Sequence, residues 1–282
     1  MKRNKSFDQS SPLLYLVATP IGNLGEMSKR ALDTLNEMDL IAAEDTRNTF
    51  MLLQQYGIKK ELFSLREHNE IEASKHIVYL LKQGKKVAYV SDAGYPGISD
   101  PGYLLVKEAI ANDIAVSTIS GSSAFLNALV ASGLPTDHFY FYGFLSKKGN
   151  EAKNALEALK EREETLIFYE SPHHIKETIS LLNEVFEGRE AVIARELTKL
   201  NEEYIRGTLD ELVKLDFSTL KGEMVVLVKG KEKSDGEISD QQIIDRLKFC
   251  LSKGISKKAA IEIVMDELKQ HKNRVYKLAQ DL

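Results

Sequence analysis

One cysteine, Cys250, is all that 282 residues contain. A single thiol closes no internal disulfide, which fits a reducing cytoplasm, and it cannot build a thiolate zinc site. No apolar run approaches the roughly 18 residues of a membrane helix, so no membrane is expected as a partner. The start, Met1-Lys2-Arg3-Asn4-Lys5 ahead of Leu13–Ala18, faintly imitates a signal peptide. Asp8 and Gln9 interrupt it, and the apolar run breaks at Thr19-Pro20, so residues 1–12 are expected to be a disordered tail before a first strand. A basic excess is missing too. The formal net charge of -4 weighs mildly against a nucleic-acid partner without excluding a local basic patch.

Several site patterns are also absent. No Gly-x-Gly-x-x-Gly follows a strand, and there is no Gly-x-x-x-x-Gly-Lys-Ser/Thr, which argues against a standard dinucleotide fold and a P-loop. There is no His-Glu-x-x-His and no Gly-x-Ser-x-Gly elbow. His173 and His174 are adjacent, and neighbouring side chains seldom converge on one ion, so no metal is expected.

What is present is punctuation. From Leu13 to about Gly133, strands are expected at Leu13–Ala18, Leu40–Ala43, Leu62–Leu65, Val87–Val90 and Ala115–Ile119. Helical patterns fall between them at Ser28–Glu37, Thr46–Tyr56, Ile71–Lys82 and Tyr103–Ala111, with another at Ser122–Ser132. That alternation implies βαβ units and a largely parallel sheet. A second unit has strand candidates Phe139–Tyr142, Thr165–Tyr169, Ala191–Arg195, Glu203–Gly207 and Glu223–Val228. The last four have hairpin-like spacing, which predicts a mixed sheet, with helices at Glu151–Arg162 and His174–Val185. Gly230–Glu237 reads as a linker. Three short helical patterns follow, resembling a helix-turn-helix unit; a plain helical cap or dimer element is the other reading. The expected division is a tail at 1–12, an α/β domain with a parallel sheet at 13–135, an α/β domain with a mixed sheet at 136–230, and a helical unit at 237–282.

The densest signal is Ser91–Gly102, where three glycines and two prolines follow a strand. So many breakers make a shaped loop, and loops at the carboxyl ends of strands in open α/β sheets bind ligands. Other strands end in polar clusters as well: Thr19-Pro20-Ile21-Gly22-Asn23, Glu44-Asp45-Thr46-Arg47, Glu67-His68-Asn69-Glu70 and Ser120-Gly121-Ser122-Ser123. In a parallel sheet all five lie on one edge. Any one of them could be helix capping, by Asn69, Asp45 or Thr46 for example; five together predict a cleft.

These motifs, with Glu170-Ser171-Pro172-His173 and Arg195-Glu196-Leu197-Thr198-Lys199, resemble the tetrapyrrole methylase superfamily of S-adenosylmethionine-dependent methyltransferases. The resemblance covers Leu13 to Lys229, and the helical tail resembles an extension found in part of that family. It implies an α/β fold of two domains with the cofactor in the cleft between them, a C-terminal helical unit, S-adenosylmethionine as cofactor, and a homodimer. The implied cofactor-binding residues are Pro20, Asp92, Ala93, Gly94, Pro96, Ile98, Gly121, Ser122 and Ser123. The Thr-Pro-Ile-Gly-Asn and Glu-Asp-Thr-Arg motifs, usually lacking in tetrapyrrole enzymes, point to members that methylate ribosomal RNA. They imply 2′-O-methylation of a cytidine at position 1402 of 16S RNA, in the small ribosomal subunit or its precursor. Ser120, Ser146 and His174 depart from residues common in those members.

Methyl transfer from a sulfonium is an in-line displacement in which the cofactor's positive charge disappears. A wall of backbone carbonyls and hydroxyls suits it better than a dedicated carboxylate, which gives Asp92-Ala93-Gly94 and Gly121-Ser122-Ser123 a physical reason. A general base for the ribose hydroxyl would contribute roughly 10²–10⁴-fold. Glu44, Asp45, His68, Asp100 and Glu170 are all candidates, and all stay open at this point. Arg47, Lys147, Lys148, Arg195 and Lys199 are the candidates for RNA phosphates. Two competing functions remain: a tetrapyrrole C-methyltransferase using the same cleft, and a non-catalytic RNA-binding module that uses the tail.

Overall fold

The computed structural model describes residues 13–232, 238–280 and 282; the expected tail at 1–12 lies outside the described residues, as do residues 233–237 of the expected linker. The chain forms two compact units, Met1–Lys231 and Glu232–Leu282.

The first unit begins with β1 (Leu13–Val17), α1 (Lys29–Glu37), β2 (Leu40–Ala43), α2 (Thr46–Gln55), β3 (Glu61–Ser64), α3 (Glu70–Lys82), β4 (Val87–Val90), α4 (Tyr103–Ala111) and β5 (Ala115–Ile119). All five strands are parallel, in the order β3-β2-β4-β1-β5. Every residue of β2 and β4 is buried, as covered parallel strands require. The chain steps outward through β2 and β3, then returns through β4 to β5. Right-handed crossovers therefore send the helices to opposite faces. Leu35 of α1 and Leu53 of α2 pack with Val17, Ile41 and Ile119 on one face. Ile77 and Leu81 of α3 and Leu105 of α4 pack with Leu14 and Tyr89 on the other.

A second sheet follows: α5 (Ala124–Ser132), β6 (Phe139–Phe144), α6 (Gly149–Glu157), β7 (Thr165–Glu170), α7 (Ile175–Phe186), β8 (Glu190–Arg195), β9 (Glu203–Thr208), α8 (Leu209–Leu212) and β10 (Met224–Val228). The order is β6-β7-β10-β8-β9, with only β6 and β7 parallel. The sheet is mixed, as the spacing predicts, but among its last four strands only β8 and β9 are a hairpin. α7 separates β7 from β8, and the wholly buried β10 inserts between them. Helix α6 starts and stops earlier than the expected Glu151–Arg162. Its end tightens into three-residue turns, with Leu159 N–H donating to Leu156 O at 2.9 Å and Arg162 N–H to Leu159 O at 3.0 Å. α5 follows the first sheet in sequence yet buries Ala128 and Leu129 against Ile167, Val192, Val225 and Leu227 of the second.

The Glu232–Leu282 unit holds α9 (Asp240–Ser252), α10 (Lys257–Leu268) and α11 (Lys272–Ala279). Ser239 and Ser256 cap α9 and α10 through their side chains. Ile243, Leu247, Cys250, Ile261, Val264 and Val275 form its own apolar centre. Arg246 pairs with Glu267 across α9 and α10.

A chain ended at Lys231 is expected to keep the main unfolding transition. Its melting temperature, followed by circular dichroism, should lie within about 2–4 °C of the full chain's, a change worth roughly 1 kcal/mol at this size. An unfolded truncation would show that the helical unit belongs to the main core.

Candidate active site

Strand register brings the polar clusters level. Ala43 pairs with Ser64 and with Val90, and Val17 pairs with Ile119, so the strands end along one edge. Beyond that edge Thr19 and Gly94 form an antiparallel bridge, with Thr19 N–H donating to Gly94 O at 2.9 Å and Gly94 N–H to Thr19 O at 3.1 Å. The buried Thr19 hydroxyl donates to Ser91 O at 3.2 Å. The first cluster therefore holds the fourth in shape.

A cavity of about 330 Å³ opens here between the two sheets. On the first-sheet side it is lined by Ile21, Ala93, Gly94, Ile98, Asp100 and Ser123. On the other side stand Phe144, Tyr169, Glu170, Leu197, Lys199 and Met224. Of the expected cofactor residues, Ala93, Gly94, Ile98 and Ser123 reach the lining. Pro20, Asp92, Pro96, Gly121 and Ser122 are not part of that lining. Pro96 is buried. Gly121 N–H donates to the Tyr95 hydroxyl oxygen at 3.2 Å, and the Ser122 hydroxyl donates to Glu26 at 2.6 Å.

A second cleft of about 340 Å³ is lined by Glu44, Asp45, Arg66, Glu67, His68, Asp92, Ser99 and Pro101. Ser99 lines both hollows. Asp45 caps α2, accepting from Arg47 N–H at 2.9 Å and Arg47 Nε at 3.0 Å, with the Arg66 guanidinium at 3.5 Å. Asp45 thus caps the helix and pairs with Arg47 at once, and the Arg47 guanidinium keeps its carboxyl well below the usual carboxylate range. Asp92 accepts from Asp45 N–H at 3.2 Å and from the Asn48 amide at 2.7 Å. Burial raises the Glu44 pKa against the opposing pull of the Asp92 N–H, and the charges of Asp92 and Asp45 add to the rise. Burial pushes Asp100 up to about 7, helped by the charge of Glu44 and opposed by the Ser91 hydroxyl. His68 is exposed in the cleft.

The other candidates divide. Buried Glu170 accepts from Ser171 N–H at 2.7 Å and from the Thr178 hydroxyl. Arg195 is tied across the sheet to Glu203 at 2.6 Å and to Lys221 O at 3.3 Å, leaving little of it for phosphate. Lys199 lines the cavity and pairs with Glu196 at 2.9 Å. Its stem crosses Gly22, where a Cβ would collide with Lys199 Cγ. Lys147 and Lys148 are exposed, and Lys148 pairs with Glu151 at 2.9 Å. Arg66, also in the cleft wall, belongs to none of the sequence motifs, so nothing in the sequence marks it. Glu223-Met224-Val225 is the plain start of a strand and carries no signal that would mark it as cavity wall.

Among the described residues no three His, Cys, Asp or Glu side chains cluster as metal ligands. No helix among them is long and apolar enough to cross a membrane.

The profile of the tetrapyrrole (corrin/porphyrin) methylases matches residues 13–213. The chain belongs to this family. Within the family it resembles the proteins named ribosomal RNA small subunit methyltransferase I. It is 42% identical to that of Bacillus subtilis (strain 168) over 98% of this chain and 97% of the relative. It is 44% identical to that of Haemophilus influenzae over 94% of this chain and 95% of the relative. Two solved structures share the fold. The methyltransferase CobJ has a TM-score of 0.59 at 19% identity, covering 78% of this chain and 95% of that one. Diphthine synthase has a TM-score of 0.61 at 16% identity, covering 78% and 90%. Methylases of this family use S-adenosylmethionine, and it is the cofactor of this chain. The cavity between the sheets fits such a molecule: its volume lies in the roughly 300–1,000 Å³ range of small-molecule sites, and its wall mixes apolar side chains with a few polar groups.

Asp100→Asn should reveal the cost of burying this carboxylate. The folded-state pKa is raised from 3.8 to about 7, so the wild-type contribution is full below about pH 3.8 and is lost as pH rises through about 7. The variant's melting temperature should therefore gain on the wild type between pH 5 and pH 8. The gain should be no more than about 2–4 °C, because solvent reaches the group and screens its neighbours. A constant difference across that range would reject the raised pKa.

Proposed function

We propose that the chain transfers a methyl group from S-adenosylmethionine to the ribose 2′-hydroxyl of cytidine 1402 of 16S RNA, acting on the small ribosomal subunit in the cytoplasm. The observation that carries this reading is the pair of hollows meeting at Ser99. One is a mostly apolar cavity suited to the cofactor; the other is a polar cleft with arginines at its edge, suited to a nucleotide. Relatives alike over nearly the whole chain are named for ribosomal RNA, which supports RNA over a tetrapyrrole acceptor.

In this reading Ala93, Gly94, Ile98 and Ser123 hold the cofactor from one side, and Leu197, Lys199 and Met224 from the other. The cofactor supplies an electrophilic methyl group on a sulfonium. Asp100 accepts the proton of the attacking hydroxyl, since a carboxyl titrating near 7 is partly ionised at working pH and basic enough to help. The charge of Glu44 adds to the rise at Asp100. Asp45, already bound by two arginines, is a poor base. It orients Arg47 and Arg66 toward the phosphates that flank the target. The helical unit is read as a further contact to the small subunit, the domain boundary as falling near residue 135, and the assembly as a homodimer, which sedimentation would check.

Ribose methylation mapped on 16S RNA from cells lacking the protein should be missing at this cytidine. With purified components, Asp100→Asn should slow single-turnover methylation by about 10²–10⁴-fold and abolish its rise with pH through about 7. Wild-type rates from a stable Asp100→Asn protein would move the proton to Glu44 or His68.

A further inference from the structure

The Glu67–Glu70 segment contributes four residues to the polar clusters, yet only Glu67 and His68 line the cleft. Asn69 and Glu70 are turned inward, and each holds a different part of the site. Glu70 is the first residue of α3 and is buried. Its Oε1 accepts from Gly102 N–H at 2.8 Å and from Leu104 N–H at 2.9 Å.

Those donors begin α4, and α4 has no capping side chain of its own. Its N-cap is Gly102, at φ 137°. A Cβ there would stand 2.9 Å from Tyr89 Cε1 and 3.3 Å from Gly97, so no Ser, Thr or Asp fits. The cap must come from another element. A carboxylate at the positive end of α4 serves best, because it accepts orphan N–H groups and opposes the helix dipole. This cap pins the end of the Ser91–Gly102 loop just beyond Ser99 and Asp100. The Tyr89 hydroxyl holds the same place, donating to Pro101 O at 2.9 Å.

Asn69 faces the other way. Its side-chain oxygen accepts from Arg66 N–H at 2.7 Å, and its amide donates to Ser64 O at 3.2 Å. Arg66, held in this way, donates from Nε to Glu44 O at 3.1 Å and lies 3.5 Å from Asp45. Adjacent residues of one turn therefore grip the loop of Asp100 on one side and the acids that follow β2 on the other.

We infer that Asn69 and Glu70 are positioning residues that set the cofactor-cavity loop and the acidic cleft in register with each other, leaving His68 as the member of the His-Asn-Glu motif that faces substrate. The binding arm of the test rests on placing S-adenosylmethionine in the cavity between the two sheets. The turnover arm rests on the RNA-methylating reading.

Calorimetry on the full chain should find the S-adenosylmethionine dissociation constant of Glu70→Ala raised at least about tenfold, the loss expected when two backbone donors lose their partner. Glu70→Gln keeps an acceptor oxygen and should stay within about threefold of wild type. Asn69→Ala should leave cofactor affinity within about threefold but slow methylation of small subunits at saturating cofactor by at least about tenfold. A merely structural role cannot separate the two residues in this way. Parallel loss of affinity and melting temperature in both alanine variants would overturn the inference, as would wild-type cofactor binding by folded Glu70→Ala. If Glu70→Ala does not fold, Tyr89→Phe takes its place, and an unchanged dissociation constant there overturns the inference. Should the wild type methylate no small subunit while Glu70→Ala and Asn69→Ala still differ in cofactor affinity, the RNA reading fails and the positioning of the cofactor loop stands.

Discussion

Parallel pairing of β1 with β4 on one side and β5 on the other is the constraint on which the site depends. Parallel strands that pair in register must end together, so the loops after them are delivered to one edge whatever their sequences. The Thr19–Gly94 bridge extends that pairing one step past the strands and turns two loops into one wall. Everything chemical is built on that edge. The second sheet closes it from the opposite side with Phe144, Tyr169, Leu197 and Met224.

Environment then gives similar side chains different work. Asp45, Glu44, Asp92 and Asp100 crowd one neighbourhood. Asp45 is held ionised by Arg47, while burial and mutual repulsion press Glu44 and Asp100 toward protonation. Carboxyls whose pKa values are pushed apart can divide the tasks of positioning and proton transfer. The same crowding gives the clamp by Asn69 and Glu70 its purpose, because small shifts between the loops would change every one of these interactions.

Much of the first sheet was legible. Short apolar runs separated by capped helices can satisfy their backbone and bury their faces in few ways, and β2 and β4 are apolar throughout, as doubly covered strands must be. The Ser91–Gly102 loop was legible for a related reason: its glycines and prolines suit neither helix nor strand. The second sheet was less so. Hairpin-like spacing predicts neighbours, but β10 pairs with β7 and β8 across long intervals of chain, and nothing local in Met224–Val228 names those partners. The placement of α5 was hidden for the same reason, since an apolar helix face does not say which sheet it will cover.

The division at the site follows from the range of the forces involved. By itself the sequence determined which stretches become strands, helices and shaped loops, because backbone sterics, capping and hydrophobic periodicity act over a few residues. It also determined that five polar clusters share one edge, because parallel topology permits nothing else. Tertiary structure alone decided that Ala93 and Ser123 line the cavity while Asp92 and Ser122 do not, and that Asp45 is claimed by Arg66 as well as Arg47. It alone decided that Glu70 caps a helix 32 residues away. Those outcomes rest on distances and burial between segments far apart in the chain, and desolvation and hydrogen bonding take their values only once those segments have met.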